Sequence, residues 1–339
     1  MNIHSVSTAV VKKSKTVGFG LFSIITAKIA IFLSFIFLTM GASNPVYALN
    51  TTIVQSPVAF DCKTLYASSN GTGTSGSVYS VDLNTGAATR LYYPTSGTGY
   101  TADPVSTIAL GRPGGKNSGN SLTMYHWSWA AGWKLTQIAE GETEIVESPY
   151  NQPAPGSSAY NYWSGGEVNQ KTGEIYFTSG EDAQFRNNFR ILIFNPQTGA
   201  AINSGLILPK TPTDSTDVSN SYIASDMAID ADGNAYVLVG SSSPRWLVRV
   251  IPGGNGSGWV YNKVRQITGI PTTSDMWGMA FVDGKLYVST TASTNLYRVD
   301  VLTGVATVVG TSGTTGITGN IFDLASCQTA PVIKGKVYN

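Results

Sequence analysis

Apolar residues collect in short runs rich in Val, Ile, Tyr and Thr, separated by polar stretches that carry Gly, and the runs return in the same order along the chain. "SVYS" (Ser77–Ser80), "RILI" (Arg190–Ile193) and "NLYR" (Asn295–Arg298) each read as a strand. Each leads into a related turn: "VDLNTG" (Val81–Gly86), "FNPQTG" (Phe194–Gly199) and "VDVLTG" (Val299–Gly304). An apolar residue, Asp or Asn, two variable residues and Thr-Gly make up the turn, and another apolar run follows each. Gly supplies the positive φ that such a hairpin connection needs.

A second run precedes the first. It reads "KTLYASS" (Lys63–Ser69), "GEIYFTS" (Gly173–Ser179), "GNAYVLV" (Gly233–Val239) and "GKLYVST" (Gly284–Thr290). Ahead of most of these lies a third, seen in "YWSGGEV", "SDMAID" and "SDMWGMAFV". One unit is therefore strand A, turn, strand B with its Tyr, loop, strand C, Thr-Gly turn, strand D. Four strands repeated at a period of some tens of residues predict an all-β fold, a β-propeller of four-stranded antiparallel blades. Gly86, Gly199 and Gly304 lie 113 and 105 residues apart, two blades per gap. The unlabelled blades fall at Tyr222–Thr268 and near Thr101–Glu140, which makes five. A sixth would require strands inside Glu142–Tyr160, whose "SPYNQPAPGSS" reads as a loop.

The ends of the series complement each other. "FDCKTLYASS" starts at strand B without a strand A, and "GNIFDLASC" (Gly319–Cys327) is a strand A with nothing after it. The C-terminal strand is expected to complete the first blade and close the ring, which removes the open edges. The chain has two cysteines, Cys62 and Cys327. Aligned on "MAFVDGKLYV", they take the places of Asp283 and Val282 and face each other across the A–B turn of the shared blade. A disulfide is predicted there.

The 339 residues are 42% hydrophobic and 12% charged, enough to bury a core and too apolar for disorder. Residues 1–48 differ from the rest. Lys12, Lys13 and Lys15 precede the apolar Ile29–Met40, and Val46 and Ala48 sit as the −3 and −1 residues of a cleavage site. This predicts a secretory signal peptide cut after Ala48, an uncleaved membrane anchor being the other reading. The propeller is then 49–328, with 329–339 a linker or the start of a further repeat. Beyond residue 48 there are 17 basic and 20 acidic residues, a net charge of −3. Without a basic patch, nucleic acid is not an expected partner, and membrane contact is expected only through the N-terminal segment.

Several motifs fail on context. "GTGTSG" (Gly71–Gly76) has no helix behind it to receive a pyrophosphate. "GRPGGKN" lacks the Ser or Thr of a phosphate loop. "DADGN" (Asp230–Asn234) lacks the sixth-position Gly of a calcium loop and reads as a turn. His126, inside the apolar "MYHWSWA", reads as a satisfied strand histidine, and no His- or Cys-rich metal site fits the inventory. No metal or cofactor is expected. One recurrence has a functional reading: Asp103, Asp226 and Asp275 stand before strand A, with Asn320 in the matching place of the last unit and Trp163 and Trp277 beside them. At the mouth of a central channel these would meet a ligand through aromatic faces and carboxylates. The bland alternative is that the Asp side chains bond loop N–H groups.

The blade phrases, with "FDC…LY" and "DLASC" at the two ends, resemble a propeller-like domain of unknown function found at the N-terminus of large bacterial surface proteins. The resemblance covers Phe60 to Cys327, and "APVIKGKVYN" (Ala330–Asn339) resembles the first strand of the prealbumin-like repeats that follow in such adhesins. It implies a secreted or cell-surface adhesion module whose unknown surface ligand is a glycan or a protein. The sequence leaves two alternatives: a carbohydrate-active enzyme using two acids at the channel mouth, and a structural spacer. If the signal is cleaved, mass spectrometry of the exported protein will find Leu49 as its first residue and no peptide from Lys12 to Lys28.

Overall fold

In the computed structural model the residues described are 52–333, apart from 54–55, 70–75, 93–106, 128–134, 151–161, 181–189, 206, 211–222, 241–243, 254–257, 273, 275, 291–292 and 311–312. The expected leader, 1–48, and the residues after 333 lie outside them. The elements are strands throughout. A two-residue strand β1 (Thr52–Ile53) comes first. Blade 1 then begins with β2 (Leu65–Ser69), β3 (Val78–Val81) and β4 (Ala88–Tyr92). Blade 2 is β5 (Thr107–Gly111), β6 (Thr123–Trp127), β7 (Leu135–Ala139) and β8 (Glu144–Glu147). Blade 3 is β9 (Tyr162–Val168), β10 (Ile175–Gly180), β11 (Arg190–Phe194) and β12 (Ala201–Asn203). After β13 (Leu208–Pro209), blade 4 is β14 (Ile223–Ile229), β15 (Ala235–Val239), β16 (Arg245–Ile251) and β17 (Val260–Ile267). Blade 5 is β18 (Met276–Val282), β19 (Lys285–Thr290), β20 (Leu296–Val299) and β21 (Ala306–Val308), and β22 (Ile321–Ala325) ends the series.

Five antiparallel blades result, and β22 pairs with β2 to give blade 1 its inner strand. The expected closure is therefore present: a five-bladed β-propeller. Its core is a set of sandwiches between consecutive blades. Tyr236, Leu238 and Leu247 of blade 4 meet Met279, Phe281 and Val288 of blade 5. Tyr66 and Val78 of blade 1 meet Ile108, Leu110 and Met124 of blade 2. The strand-B tyrosines that marked the repeat fill these seams.

The Thr-Gly turns are built from one set of bonds. Asp82, Asn195 and Asp300 each accept, at Oδ1, the N–H groups two and three residues on. Thr85, Thr198 and Thr303 each accept, at Oγ1, the N–H two residues on. The turn is thus a side-chain-capped loop, which explains Asp or Asn at one end and Thr near the other. The glycine has a second reason. Gly86 and Gly304 have φ of +78° and +80°, and a Cβ there would strike the Gly313 and Gln266 carbonyls. Each turn lies against the backbone that follows strand D of the preceding blade, with Ala88 N–H donating to Thr315 and Ala306 N–H to Thr268.

Two differences from the sequence reading have physical causes. Strands within Glu142–Tyr160 were tied to a sixth blade, yet Glu144–Glu147 is the outer strand of blade 2, with Thr136 opposite Glu147 and Gln137 opposite Val146. Flanked by glutamates, it shows no apolar run because it lies on the outer side of its blade, covered only by the two-residue β1. Blades 2 and 4 also gain a fifth strand, β1 on β8 and β13 parallel to β17. Two-residue strands leave no readable period.

Closure is fastened in three ways. Cys62 and Cys327 form a disulfide with Cα atoms 4.9 Å apart, within bridging range. Gln328 accepts from Asp283 N and donates to the Cys62 carbonyl. Ser326 Oγ donates to the Phe281 carbonyl at 2.7 Å. The chain then runs on against blades 4 and 5. Ala330 N–H bonds the Ile229 carbonyl, Ile333 N–H bonds Tyr236 Oη, and both Ala330 and Ile333 are buried between blades 4 and 5. Residues 330–333, expected to form a linker or a further strand, pack against the propeller.

The disulfide joins residues 265 apart, so in the chain-entropy view it removes much freedom from the unfolded chain. Replacing both cysteines by Ser should cost up to about 5 kcal/mol. The fold should persist, because the β2–β22 pairing and the Gln328 bonds remain. Denaturant unfolding monitored by circular dichroism checks this: a lower midpoint with an unchanged native spectrum.

Candidate functional site

The inner strands β5, β9, β14, β18 and β22 surround the axis. Four of them, all but β5, carry a register shift against the second strand of their blade. Such bulges re-aim side chains and locally break the ladder. The registers fix which residues are equivalent. Met227 faces Val237, Met279 faces Val288 and Leu324 faces Ala67, so the residues just before them, Asp226, Gly278 and Asp323, occupy one position in blades 4, 5 and 1.

That position has a task. An inner strand is an edge strand on its axial side, and N–H groups pointing there have no neighbouring strand to accept them. Asp226 of blade 4 accepts the Met279 N–H of blade 5 at 2.7 Å, and Asp323 of blade 1 accepts the Ile108 N–H of blade 2 at 2.8 Å. The acceptor comes from the preceding blade in both cases. Asp226 also accepts from Met227 N. Both carboxyl groups are buried, at 0% and 1% exposure. A third acid, Glu167 on β9, is also buried; it accepts from Val168 N at 2.9 Å, and the Ser326 N–H lies near it. Burial holds the carboxyl groups of all three well above the ordinary carboxylate range.

Of the residues read from sequence as a channel-mouth site, Asp103 and Asp275 lie outside the described residues, as does the side chain of Trp163. Asp226 sits three residues into β14 and is sealed from solvent. Trp277 is half-buried near the start of β18, where its ring meets Phe322 of β22 edge-on. Asn320, also half-buried, stands one residue before β22. The structure therefore brings together Trp277 and Phe322, at equivalent places in blades 5 and 1. The sequence reading missed Phe322, Asp323 and Glu167. A signal for Asp323 existed: "DMA", "GMA" and "DLA" align Asp226, Gly278 and Asp323, whereas the shared "SDM" suggested a different match.

The remaining candidates resolve as structure. Asp230 of "DADGN" accepts from Asp232 N, Asn234 N and Asn234 Nδ2, a turn with its oxygens occupied. No group of acids, His and Cys suited to a metal ion occurs among the described residues. His126 is fully buried on β6, 2.6 Å from Tyr92 Oη through Nε2, and burial pushes its pKa down to about 3. A ring this reluctant to take a proton is no general base near neutrality.

No protein-family model matches the chain, and no curated protein is similar to it. Solved structures are similar at the level of fold. One is a protein of unknown function from Bacteroides caccae, at 10% identity over 76% of this chain and 77% of that chain, with a TM-score of 0.39. Another is a nidogen/laminin complex, at 8% identity over 79% and 99%, TM-score 0.45. A third is the PQQ-bound form of aldose sugar dehydrogenase from Streptomyces coelicolor, at 12% identity over 82% and 89%, TM-score 0.38. At this distance they carry no functional argument for this chain.

The lowered pKa of His126 sets an acid-side stability dependence. The unfolded chain takes a proton near pH 6.5 and the folded one only near pH 3. Stability from this group is therefore full above 6.5 and is lost as pH falls through that window, by about 1.4 kcal/mol per pH unit. His126→Gln, which keeps a polar partner for Tyr92, should flatten the fall between pH 6.5 and 4 in equilibrium unfolding.

Proposed function

We propose that this propeller is a secreted or cell-surface binding module, in adhesion, that holds its ligand without catalysis. The observation that carries this reading is the contrast between aromatics and acids at the start of the inner strands. Trp277 and Phe322 are partly exposed there, while Asp226 and Asp323 are sealed and bonded to backbone N–H groups. A glycosidase acid must reach the scissile oxygen, and these do not reach solvent. Aromatic faces favour a ligand with an apolar face, a sugar ring or an apolar protein side chain.

Export is supported by the disulfide, which persists in oxidising compartments. Among the described residues no helix is long and apolar enough to cross a membrane. The leader at 1–48 with cleavage after Ala48 belongs to the same proposal, as does placement ahead of adhesin-type repeats.

A glycan array and a binding screen against surface proteins, both run with residues 49–339, test the reading. Trp277→Ala is expected to weaken any ligand found by at least about tenfold, the scale of one aromatic anchor, with Phe322→Leu weaker in effect. Unchanged binding by a folded Trp277→Ala protein would place the site elsewhere. Release of hydrolysed glycan products would favour the enzyme.

A further inference from the structure

The two aspartates at the axis meet. The carboxyl groups of Asp226 in blade 4 and Asp323 in blade 1 lie beside each other, and the chain between them in the ring, β18 of blade 5, presents Gly278 at the equivalent position. A Cβ on Gly278 would lie 2.9 Å from the Asp323 main-chain carbon and 2.8 Å from Leu324 N. Glycine there leaves room for the two acids to touch.

The bonds around the pair distinguish its members. Both oxygens of Asp226 accept backbone N–H groups, Oδ1 from Met227 and Oδ2 from Met279, which suits a carboxylate. Asp323 Oδ2 accepts from Ile108, and the Leu324 N–H lies near the carboxyl, but its Oδ1 is buried without a hydrogen-bond partner. The group it does meet is another carboxyl. Two carboxylates in hydrogen-bond contact cannot both be ionised in a dry site, whereas an O–H from one to the other satisfies both. A cation is the other way to neutralise the pair, but the lone pairs of Asp226 already face N–H groups, and the described residues form no metal cluster.

We propose that Asp323 carries a proton on Oδ1 at neutral pH and donates it to Asp226, and that this acid–carboxylate pair links the closing strand β22 to blade 4 across the axis. Folding then takes up a proton, because both groups are ionised in the unfolded chain near pH 7. The surroundings from each inner strand are known. β14 brings Asp226, β22 brings Asp323 with the Leu324 N–H, and β9 brings Glu167, the further titratable group beside the pair among the described residues. β5 and β18 bring the N–H groups of Ile108 and Met279 with Gly278, and β19 brings Ser289 Oγ bonded to Gly278 N. His126 on β6 is bonded to Tyr92.

The sign follows from a proton held more tightly in the folded state. The pair's contribution is full below the ordinary carboxylate pKa of about 4 and is lost as pH rises through the folded value. Asp323→Asn tests it, since the amide donates to Asp226 in the same place and does not titrate. Between pH 5 and 7 the folding constant of the natural protein should fall about tenfold per pH unit relative to Asp323→Asn, one proton's worth. His126 and Glu167 are common to both and drop out. In the infrared spectrum at pH 7, the natural protein should show a carboxylic-acid C=O band that Asp323→Asn lacks. Parallel pH curves, or spectra without that difference, would overturn the proposal. Should Asp323→Asn fail to fold, proton counting on denaturant unfolding at pH 7 of Glu167→Gln, which removes the other buried acid with raised proton affinity, decides. Release of protons is expected, and release of none refutes it.

Discussion

One strand pairing holds the ring together: Ile321–Ala325 against Leu65–Ser69. The four main strands of each other blade form a local meander of strands consecutive in sequence, to which blades 2 and 4 add the two-residue β1 and β13. Blade 1 alone takes its inner strand from the far end of the chain. Bringing these ends together costs loop-closure entropy that grows slowly with length, so the junction is where the ring is weakest before it forms. The disulfide, Gln328 and Ser326 all lie within a few residues of it. This concentration is the expected response to one long-range contact on which every inter-blade seam depends.

Crowding at the axis follows from the same closure. Five inner strands converge, and each turns one edge of N–H groups inward. Water would satisfy those groups in a wider ring. Here buried carboxyl groups take its place in two blades, accepting the N–H of Met279 and Ile108. Ala109, Ala228, Ala280 and Ala325 lie opposite the strand-B tyrosines, while blade 3 has Glu167 opposite Tyr176. A buried acid is costly unless its oxygens are bonded or it is neutral. The bond from Val168 N, the nearby Ser326 N–H and the raised proton affinity of Glu167 meet both requirements.

What the sequence made legible was local chemistry repeated. The Thr-Gly turn could be read three times because its side chains bond their own backbone, so the same residues must recur wherever the same loop does. The cysteines were legible through the repeat, since alignment with Val282 and Asp283 put them across one hairpin. Strand β8 was not, because an outer strand flanked by glutamates shows no apolar face, and β1 and β13 are too short for any period. At the axis the repeat misled. "SDM" occurs twice, at Ser225–Met227 and Ser274–Met276, yet bulges in β14 and β18 make Gly278, three residues beyond Asp275, the partner of Asp226. A bulge changes register without leaving a mark in composition, so a residue read as standing before a strand turned out to lie inside it.

The axis and the outward aromatics make separable demands on the same inner strands. Side chains alternate along a strand, and the bulge shifts that alternation. In β22, Phe322 is left partly open while Asp323 and Leu324 are buried; in β18, Trp277 is left partly open beside the buried Gly278 and Met279. The open position in each strand is distinct from the axial position whose carboxyl and N–H bonds close the ring, so the aromatic surface can vary while closure is kept. A ligand reaching Trp277 and Phe322 would touch blades 5 and 1 together, the two blades joined at the closing strand. Such a ligand would bind the closed ring and not an opened one, and would stabilise closure by mass action. Under the proposed binding role, ligand binding and ring closure would be coupled through neighbouring residues of one strand, the partly open Phe322 and the buried Asp323.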